Sequence, residues 1–228
     1  MRILALDTAT ESCSAALLIS GETLVRELEL DRGHAERILF MIDELMSEAG
    51  LDLGSLDAIA FGRGPGGFTG VRLAASVTQG LAFGAGLPVI PISDLQAVAQ
   101  RAFGIDSAAE RMLVCNDARM HEVYWGCFEQ AKGLARPICE ERVSKPDAVA
   151  SLVDWPTHIH GAGRGFSAYP ELSAGLGDRL VVTHPLLLPR AREIALLAAP
   201  VLASGGAVPA EEAIPIYIRD EVARPASP

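Results

Sequence analysis

The sequence has no apolar run that approaches the length of a membrane-spanning helix. Its opening residues, Met1-Arg2-Ile3-Leu4-Ala5-Leu6, begin like a secretory leader, but Asp7 and Glu11 interrupt them too early for the apolar stretch a leader needs. Positive charge is scarce. Nineteen Lys and Arg stand against 29 Asp and Glu, a formal net charge of −10. Nucleic-acid phosphates are held by Lys/Arg surfaces, so strong direct binding of RNA or DNA is not expected. The four cysteines, Cys13, Cys115, Cys127 and Cys139, contain no C-x-x-C pair and read as reduced thiols of a cytoplasmic protein. None of the five histidines forms H-x-x-x-H or H-E-x-x-H; His121-Glu122 begins the second pattern and nothing completes it. His158 and His160 on a strand would share a face, without a third ligand. No metal site is therefore expected. A serine-hydrolase elbow, G-x-S-x-G, is also missing.

What is present begins with size. A chain of 228 residues, half of them apolar, can bury a sizeable core in one or two domains. It is organised around Gly62-Arg63-Gly64-Pro65-Gly66-Gly67-Phe68-Thr69-Gly70-Val71-Arg72. Ala58-Ile59-Ala60-Phe61 before it reads as a buried strand, and residues 73–83 after it have helix length. Glycines here permit positive φ or close backbone approach, Pro65 fixes one φ, and Thr69 is placed to N-cap the helix. The stretch is not a P-loop, because no Gly-Lys-Ser/Thr follows the glycines. A structural loop and an anion site at the helix N-terminus both remain open, with the structural loop favoured. Gly70, Ala74 and Thr78 recur at i, i+4, i+8, and small residues lie on further faces too. This suggests helix contacts on more than one side.

Along the chain, residues 2–7, 14–19 and 23–30 read as strands, the last two joined at Ser20-Gly21-Glu22. Residues 35–49 form an amphipathic helix with Ile38, Leu39, Met41, Ile42, Leu45, Met46 and Ala49 on one stripe; the stripe is either ordinary core or an apolar arc wide enough for the sheet and a partner helix, and both readings stay open. His34 before it reads as a cap or surface residue. A strand at 87–92 and a helix at 95–103 capped by Ser93-Asp94 complete the first half. The second half reopens in the same way. Met112-Leu113-Val114-Cys115 leads to Asn116-Asp117-Ala118-Arg119, and a strand follows at 122–128, a weak internal repeat. A helix near 146–153, strands near 158 and 180–182, a glycine turn at 161–165, a helix over 191–202, an extended tail at 214–219 and disorder from Arg224 complete the expectation.

The repeat sets Asp7-Thr8-Ala9-Thr10 opposite Asn116-Asp117-Ala118-Arg119 across a cleft. Two carboxylates there could hold a divalent ion through waters. The alternative, modestly favoured, is that both aspartates cap strand ends. Arg119 stands where a phosphate-facing turn would want Gly.

Ile3 to Thr10, Gly64 to Arg72, Asp117-Ala118-Arg119 with Glu122-Val123-Tyr124, and Pro215-Ile216-Tyr217-Ile218-Arg219 stand in one order. Over nearly the whole chain this resembles the TsaB (YeaZ) family, bacterial dimerisation subunits of the tRNA threonylcarbamoyladenosine machinery. The family's usual Gly-Ser pair in the loop is Gly66-Gly67 here. The resemblance implies an α/β, two-lobed actin/hexokinase/Hsp70-like (ribonuclease H-like) fold, its mixed sheets flanked by helices. Residues 1–104 would form the first lobe and 105–228 a smaller second one, whose helix near 190–203 packs back on the first. The implied function is non-catalytic: binding and activating TsaD, which transfers threonylcarbamoyl to the adenosine beside the anticodon of tRNAs that read codons starting with A. The ATPase TsaE is an implied partner, as is a second copy of the chain when TsaD is absent. No cofactor is implied for the chain alone, and nucleotide only in the complex with TsaE.

The family's partner-binding helices fall on about 35–49 and 69–83, which puts Ile38, Met41, Ile42, Leu45, Gly70, Leu73, Ala74, Val77, Thr78 and Leu81 at the interface. Gly64, Pro65, Gly66, Gly67, Thr69 and Arg72 take structural roles in the loop. The catalytic sister carries H-x-x-x-H on the helix after the fifth strand. The matching stretch, Ser93-Asp94-Leu95-Gln96-Ala97-Val98-Ala99-Gln100, has no His. The alternative is an ATP-dependent phosphotransferase or ATPase of the same superfamily, with Asp7, Thr8, Thr10 and Asp117 at a nucleotide and residues 161–165 at the adenosine.

Overall fold

A computed structural model describes residues 1–155 and 158–219. The strands are β1 (Arg2–Asp7), β2 (Ser12–Ile19), β3 (Glu22–Glu29), β4 (Ala58–Gly62), β5 (Val89–Ile92), β6 (Arg111–Asp117), β7 (Val123–Ala131), β8 (Leu134–Pro137), β9 (Arg142–Ser144), β10 (Ile159–Ala162) and β11 (Leu180–His184). The helices are α1 (His34–Ala49), α2 (Phe68–Ala85), α3 (Asp94–Ile105), α4 (Pro146–Leu152), α5 (Gly165–Ala168), α6 (Pro170–Leu176) and α7 (Ala191–Ala203).

The first sheet runs β3-β2-β1-β4-β5, the second β8-β7-β6-β10-β11, with β9 beside β7. In each, the first three strands are antiparallel and the last two join in parallel. The repeat seen weakly in sequence is thus one topology used twice, and the fold is the two-sheet ribonuclease H-like α/β architecture. The β2–β3 turn holds Ser20 at φ 52 and Gly21 at φ 95, the paired positive values of a tight hairpin matched to strand twist.

Strand alternation assigns the layers. Leu4, Leu6, Leu17, Ile59 and Phe61 face one way and meet α1 and α2. Ile3, Ala5, Ala16, Ala58 and Ala60 face the other way and meet α3 and α7, which also pack against Met112, Val114 and Phe128 of the second sheet. The remaining face of that sheet, with Leu113, Cys115, Trp125 and Cys127, is covered by α4, α5 and α6. The central layer is therefore α3 and α7, held between the two sheets. Contacts of α7 with β1, β2, β4 and β5 are extensive, so a helix from the end of the chain completes the core of its beginning.

Some elements differ from expectation. Strands β8 and β9 and helices α5 and α6 have no counterpart in the sequence expectation, because their short segments lack a clear period. Thr69 does not cap α2. The helix starts at Phe68 and its N-cap is Gly67, with no side-chain cap. His158 sits at φ 58 outside β10, so it does not share a strand face with His160. The expected disorder from Arg224 falls outside the described residues.

The two faces of α1 differ in cost. Leu45 is fully buried, whereas Phe40 is 65% exposed. In urea unfolding, Leu45→Ala is expected to lose about 2–5 kcal/mol and Phe40→Ala to change stability by less than about 0.5 kcal/mol.

Candidate functional site

The glycine loop folds by pressing its backbone onto the corner between β1 and β2. A Cβ on Gly70 would stand 2.0 Å from the Thr8 carbonyl oxygen, and one on Gly66 would stand 2.6 Å from that of Ala9. Only glycine fits such an approach. Hydrogen bonds close it: the Gly67 N–H donates to the Ala9 carbonyl at 2.7 Å and the Thr8 hydroxyl donates to the Gly70 carbonyl at 2.7 Å. Gly62, Gly64 and Gly67 do stand at G-x-G-x-x-G spacing, a match absent from the expectations above. Here the space such glycines leave for a pyrophosphate is filled by the chain itself.

The other end of the loop rests on a buried acid. The Gly64 N–H donates to Asp94 Oδ2 at 2.5 Å. Asp94 is hydrogen-bonded to Asp7, and both are fully buried. Gly62 is the wedge between them, since a Cβ there would lie 2.4 Å from Asp94 and 2.5 Å from Asp7. Burial, then the charge of Asp7, pushes the Asp94 carboxyl well above the ordinary 3.8. Burial also raises Asp7, to about 6, against the pull of the Ala9 N–H and the hydrogen bond from Asp94. Asp94 therefore holds the proton and Asp7 accepts it. Around them stand Glu141 and His34. Glu141 accepts from the Ser93 hydroxyl and lies 3.7 Å from Arg63.

A strap from the end of the chain crosses the loop. The Ile216 N–H donates to the Arg63 carbonyl at 2.8 Å. Arg72 lies 3.5 Å above the Phe68 ring and donates to the Tyr217 hydroxyl at 2.6 Å. Arg219 pairs with Glu122 and reaches the Ala118 carbonyl at 3.2 Å. The tail is extended, as its sequence predicts, and its contacts join residues far apart in the chain.

Between the sheets opens a cavity of about 870 Å³ lined by Thr8, Thr10, Asn116, Asp117, Arg119 and Arg164, among others. Asp7 does not line it. The expected pair of facing aspartates is corrected here, because Asp7 turns inward to Asp94. Both aspartates do close the same strand-end turn: Ala9 N–H to Asp7 Oδ1 at 3.0 Å and Arg119 N–H to Asp117 Oδ1 at 2.8 Å. Asp117 is further engaged by the Tyr169 hydroxyl at 2.7 Å and by the Arg119 guanidinium at 3.1 Å. The Thr10 hydroxyl accepts the Ser12 N–H at 3.2 Å. The ring of His34 bonds the Thr10 carbonyl at 2.9 Å. Gly161, Gly163 and Gly165 accommodate Phe166, Asn116 and the Cys115 carbonyl, so the chain fills the space beside each. His160 and His184 meet at Asp106, at 2.6 and 3.4 Å. Among the described residues no group of three or more His, Cys, Asp and Glu is placed to hold a metal ion.

The outer face of α1 and α2 is a second candidate surface. Ile38, Met41, Ile42 and Leu45 are buried under α1 in the chain's own core, as are Ala74 and Thr78 under α2. The expectation that these side chains form a free face is corrected: the sheet uses them. Gly70 likewise faces Thr8. Leu73, Val77 and Leu81 are half-buried. The open stripe is instead Ser76, Gly80 and Gly84, also at i, i+4, i+8, and a Cβ on either glycine would meet nothing within 4 Å. Phe83 beside it is 81% exposed. A shallow cavity of about 440 Å³ lies here, lined by Ser76, Gln79, Gly80, Phe83, Ala210 and Glu211.

Comparison with known proteins covers nearly the whole chain. Residues 28–226 match the family described as TsaD, tRNA N6-adenosine threonylcarbamoyltransferase. The tRNA threonylcarbamoyladenosine biosynthesis protein TsaB of Haemophilus influenzae is 42% identical, over 97% of this chain and 95% of that protein. TsaB of Escherichia coli is 41% identical, over 98% and 96%. The chain belongs to the TsaB (YeaZ) family. The solved structure of YeaZ from Pseudomonas aeruginosa superposes with a TM-score of 0.88 at 45% identity, covering 95% of this chain and 99% of that one. The first residue of α3 is the buried Asp94.

The acid pair gives this TsaB chain a pH dependence with a fixed sign. Its raised carboxyls keep protons in the folded state that the unfolded state releases near 3.8. Their stabilising effect is complete below that value and is lost as pH rises through about 6 and beyond. In Asp94→Asn, the amide can donate to Asp7 while its oxygen accepts from Gly64. Thermal unfolding between about pH 5 and 8 should show the variant gaining on the parent as pH rises, by on the order of 1–3 kcal/mol. Parallel curves would contradict the shared proton.

Proposed function

We propose that this chain serves tRNA threonylcarbamoyladenosine biosynthesis as a non-catalytic subunit that binds and activates TsaD. The coarse part of this reading is supported by the names of its full-length relatives. The subunit role is supported by α3, which carries no His at all. One observation carries the binding role: the bare outer stripe of α2. Ser76, Gly80 and Gly84 let a second helix backbone approach closely, and Phe83, with half-buried Leu73, Val77 and Leu81, supplies apolar area around them. Leu39 and Phe40 extend the apolar surface along α1. In this reading a TsaD helix pair covers the face, and a second copy of this chain covers it when TsaD is absent. The adenosine modified lies beside the anticodon in tRNAs that read codons starting with A. Nucleotide enters only through the complex with TsaE, and the acidic chain leaves tRNA binding to its partners.

Two substitutions separate the face from the core beneath it. Gly80→Arg places charge and bulk in open space, so the fold should survive. Co-purification with TsaD should be lost, and threonylcarbamoyl transfer to tRNA should fall to the level of TsaD without this chain. Ala74→Arg, by contrast, should fail to fold. A soluble Gly80→Arg that still binds and activates TsaD would place the interface elsewhere.

A further inference from the structure

One cysteine pair lies outside the strap, the cleft and the partner face. Cys127 is on β7, in the core under α4 to α6; Cys139 follows β8 and is half-buried. The segment 138–139 continues the antiparallel run of β8 beside β7, since the Ile138 N–H donates to the Cys127 carbonyl at 2.9 Å. The Cys127 N–H in turn donates to Cys139 Sγ at 3.2 Å. Cys127 thus stands opposite Ile138 and diagonal to Cys139, whose sulfur lies against the backbone of Cys127. Both side chains belong to the core cluster under α4 to α6, Cys127 inside it and Cys139 packed against it.

We propose that Cys127 and Cys139 form a peroxide-responsive pair, with Cys139 the attacking sulfur and Cys127 the resolving one. The steps balance with hydrogen peroxide as oxidant. The Cys139 thiolate attacks one peroxide oxygen, the O–O bond breaks, and Cys139 becomes a sulfenic acid as hydroxide leaves. The Cys127 sulfur then attacks Cys139 Sγ, the S–O bond breaks, and the thiol proton leaves with the hydroxyl as water. The products are an intrachain disulfide and two molecules of water per peroxide, counting the proton that neutralises hydroxide.

The environment selects Cys139. The Cys127 thiol, then the Cys127 N–H and Arg142, outweigh burial and bring Cys139 down to about 6, with Glu141 opposing. Cys13 is pushed up to about 11 by burial and then by Asp7, and burial pushes Cys115, beneath the pair, well above its ordinary value. Cys127 is raised by its bond to Cys139 and by burial. The consequence reaches the glycine loop. Two residues after Cys139 comes Glu141, which accepts from Ser93 at the start of α3 and pairs with Arg63. A Cys127–Cys139 bond would tether to β7 the arm that joins the second sheet to the loop.

The test uses the full chain, reduced and then titrated with hydrogen peroxide, with non-reducing peptide mapping by mass spectrometry. The expected product is a 127–139 linked peptide lighter by two hydrogens, formed at lower peroxide than any oxidation of Cys13 or Cys115. Cys127→Ser should leave Cys139 as a sulfenic acid that dimedone captures, and Cys139→Ser should leave Cys127 unreacted. Iodoacetamide labelling of Cys139 should titrate with a midpoint below that of a free cysteine, about 8.5. The wild-type measurements need no variant to fold. A Cys139 that labels with the midpoint of a free cysteine, together with no linked peptide, would overturn the proposal.

Discussion

Backbone pressed against backbone, where the glycine loop meets the Thr8–Ala9 corner, sets the position of nearly everything else. A methyl group on Gly70 would overlap the Thr8 carbonyl. Because none is there, α2 settles onto β1 and β4 with Ala74 and Thr78 inward. The same rotation turns Ser76, Gly80 and Gly84 outward. A feature that looks like a ligand loop in one dimension is in three dimensions the clasp that fixes which face of α2 is left to a partner.

The clasp has a polar side as well. Its backbone N–H groups must be satisfied once buried, and here they find Ala9 and Asp94. Asp94 is an acid at the N-terminus of α3, where helix geometry favours negative charge, yet burial beside Asp7 keeps it protonated. The loop, the end of β1 and the start of α3 therefore share one proton. The strap over the loop and the Glu141 arm beneath it tie the same point to the end of the chain and to the second sheet.

Much of this was legible in the residues. The strands with clean alternation and the helices α1, α3 and α7 carry periods strong enough to read without a structure. The duplicated strand-Asp-turn predicted a repeat, and the two sheets share one strand order. The faces were harder. A stripe of small residues is visible in sequence, but two such stripes exist on α2, and only the close approach at Gly70 tells which one the sheet takes. The wide arc of α1 posed the same ambiguity and was resolved toward the core. The Asp7–Asp94 contact, the strap and the cysteine pair join residues far apart in the chain, and no local pattern announces them. Strands β8 and β9 are too short for a period to show.

The central claim is that the outward side of α2, with its neighbours on α1, is the surface a TsaD helix pair covers. Hydrogen–deuterium exchange of the chain alone and mixed with TsaD measures this directly. The account predicts added protection in peptides spanning residues 73–84 and 39–43, with the glycine loop and Asp94 equally protected in both states because they are already closed. Unchanged exchange over those two segments, with new protection confined to the cleft or the second sheet, would contradict it.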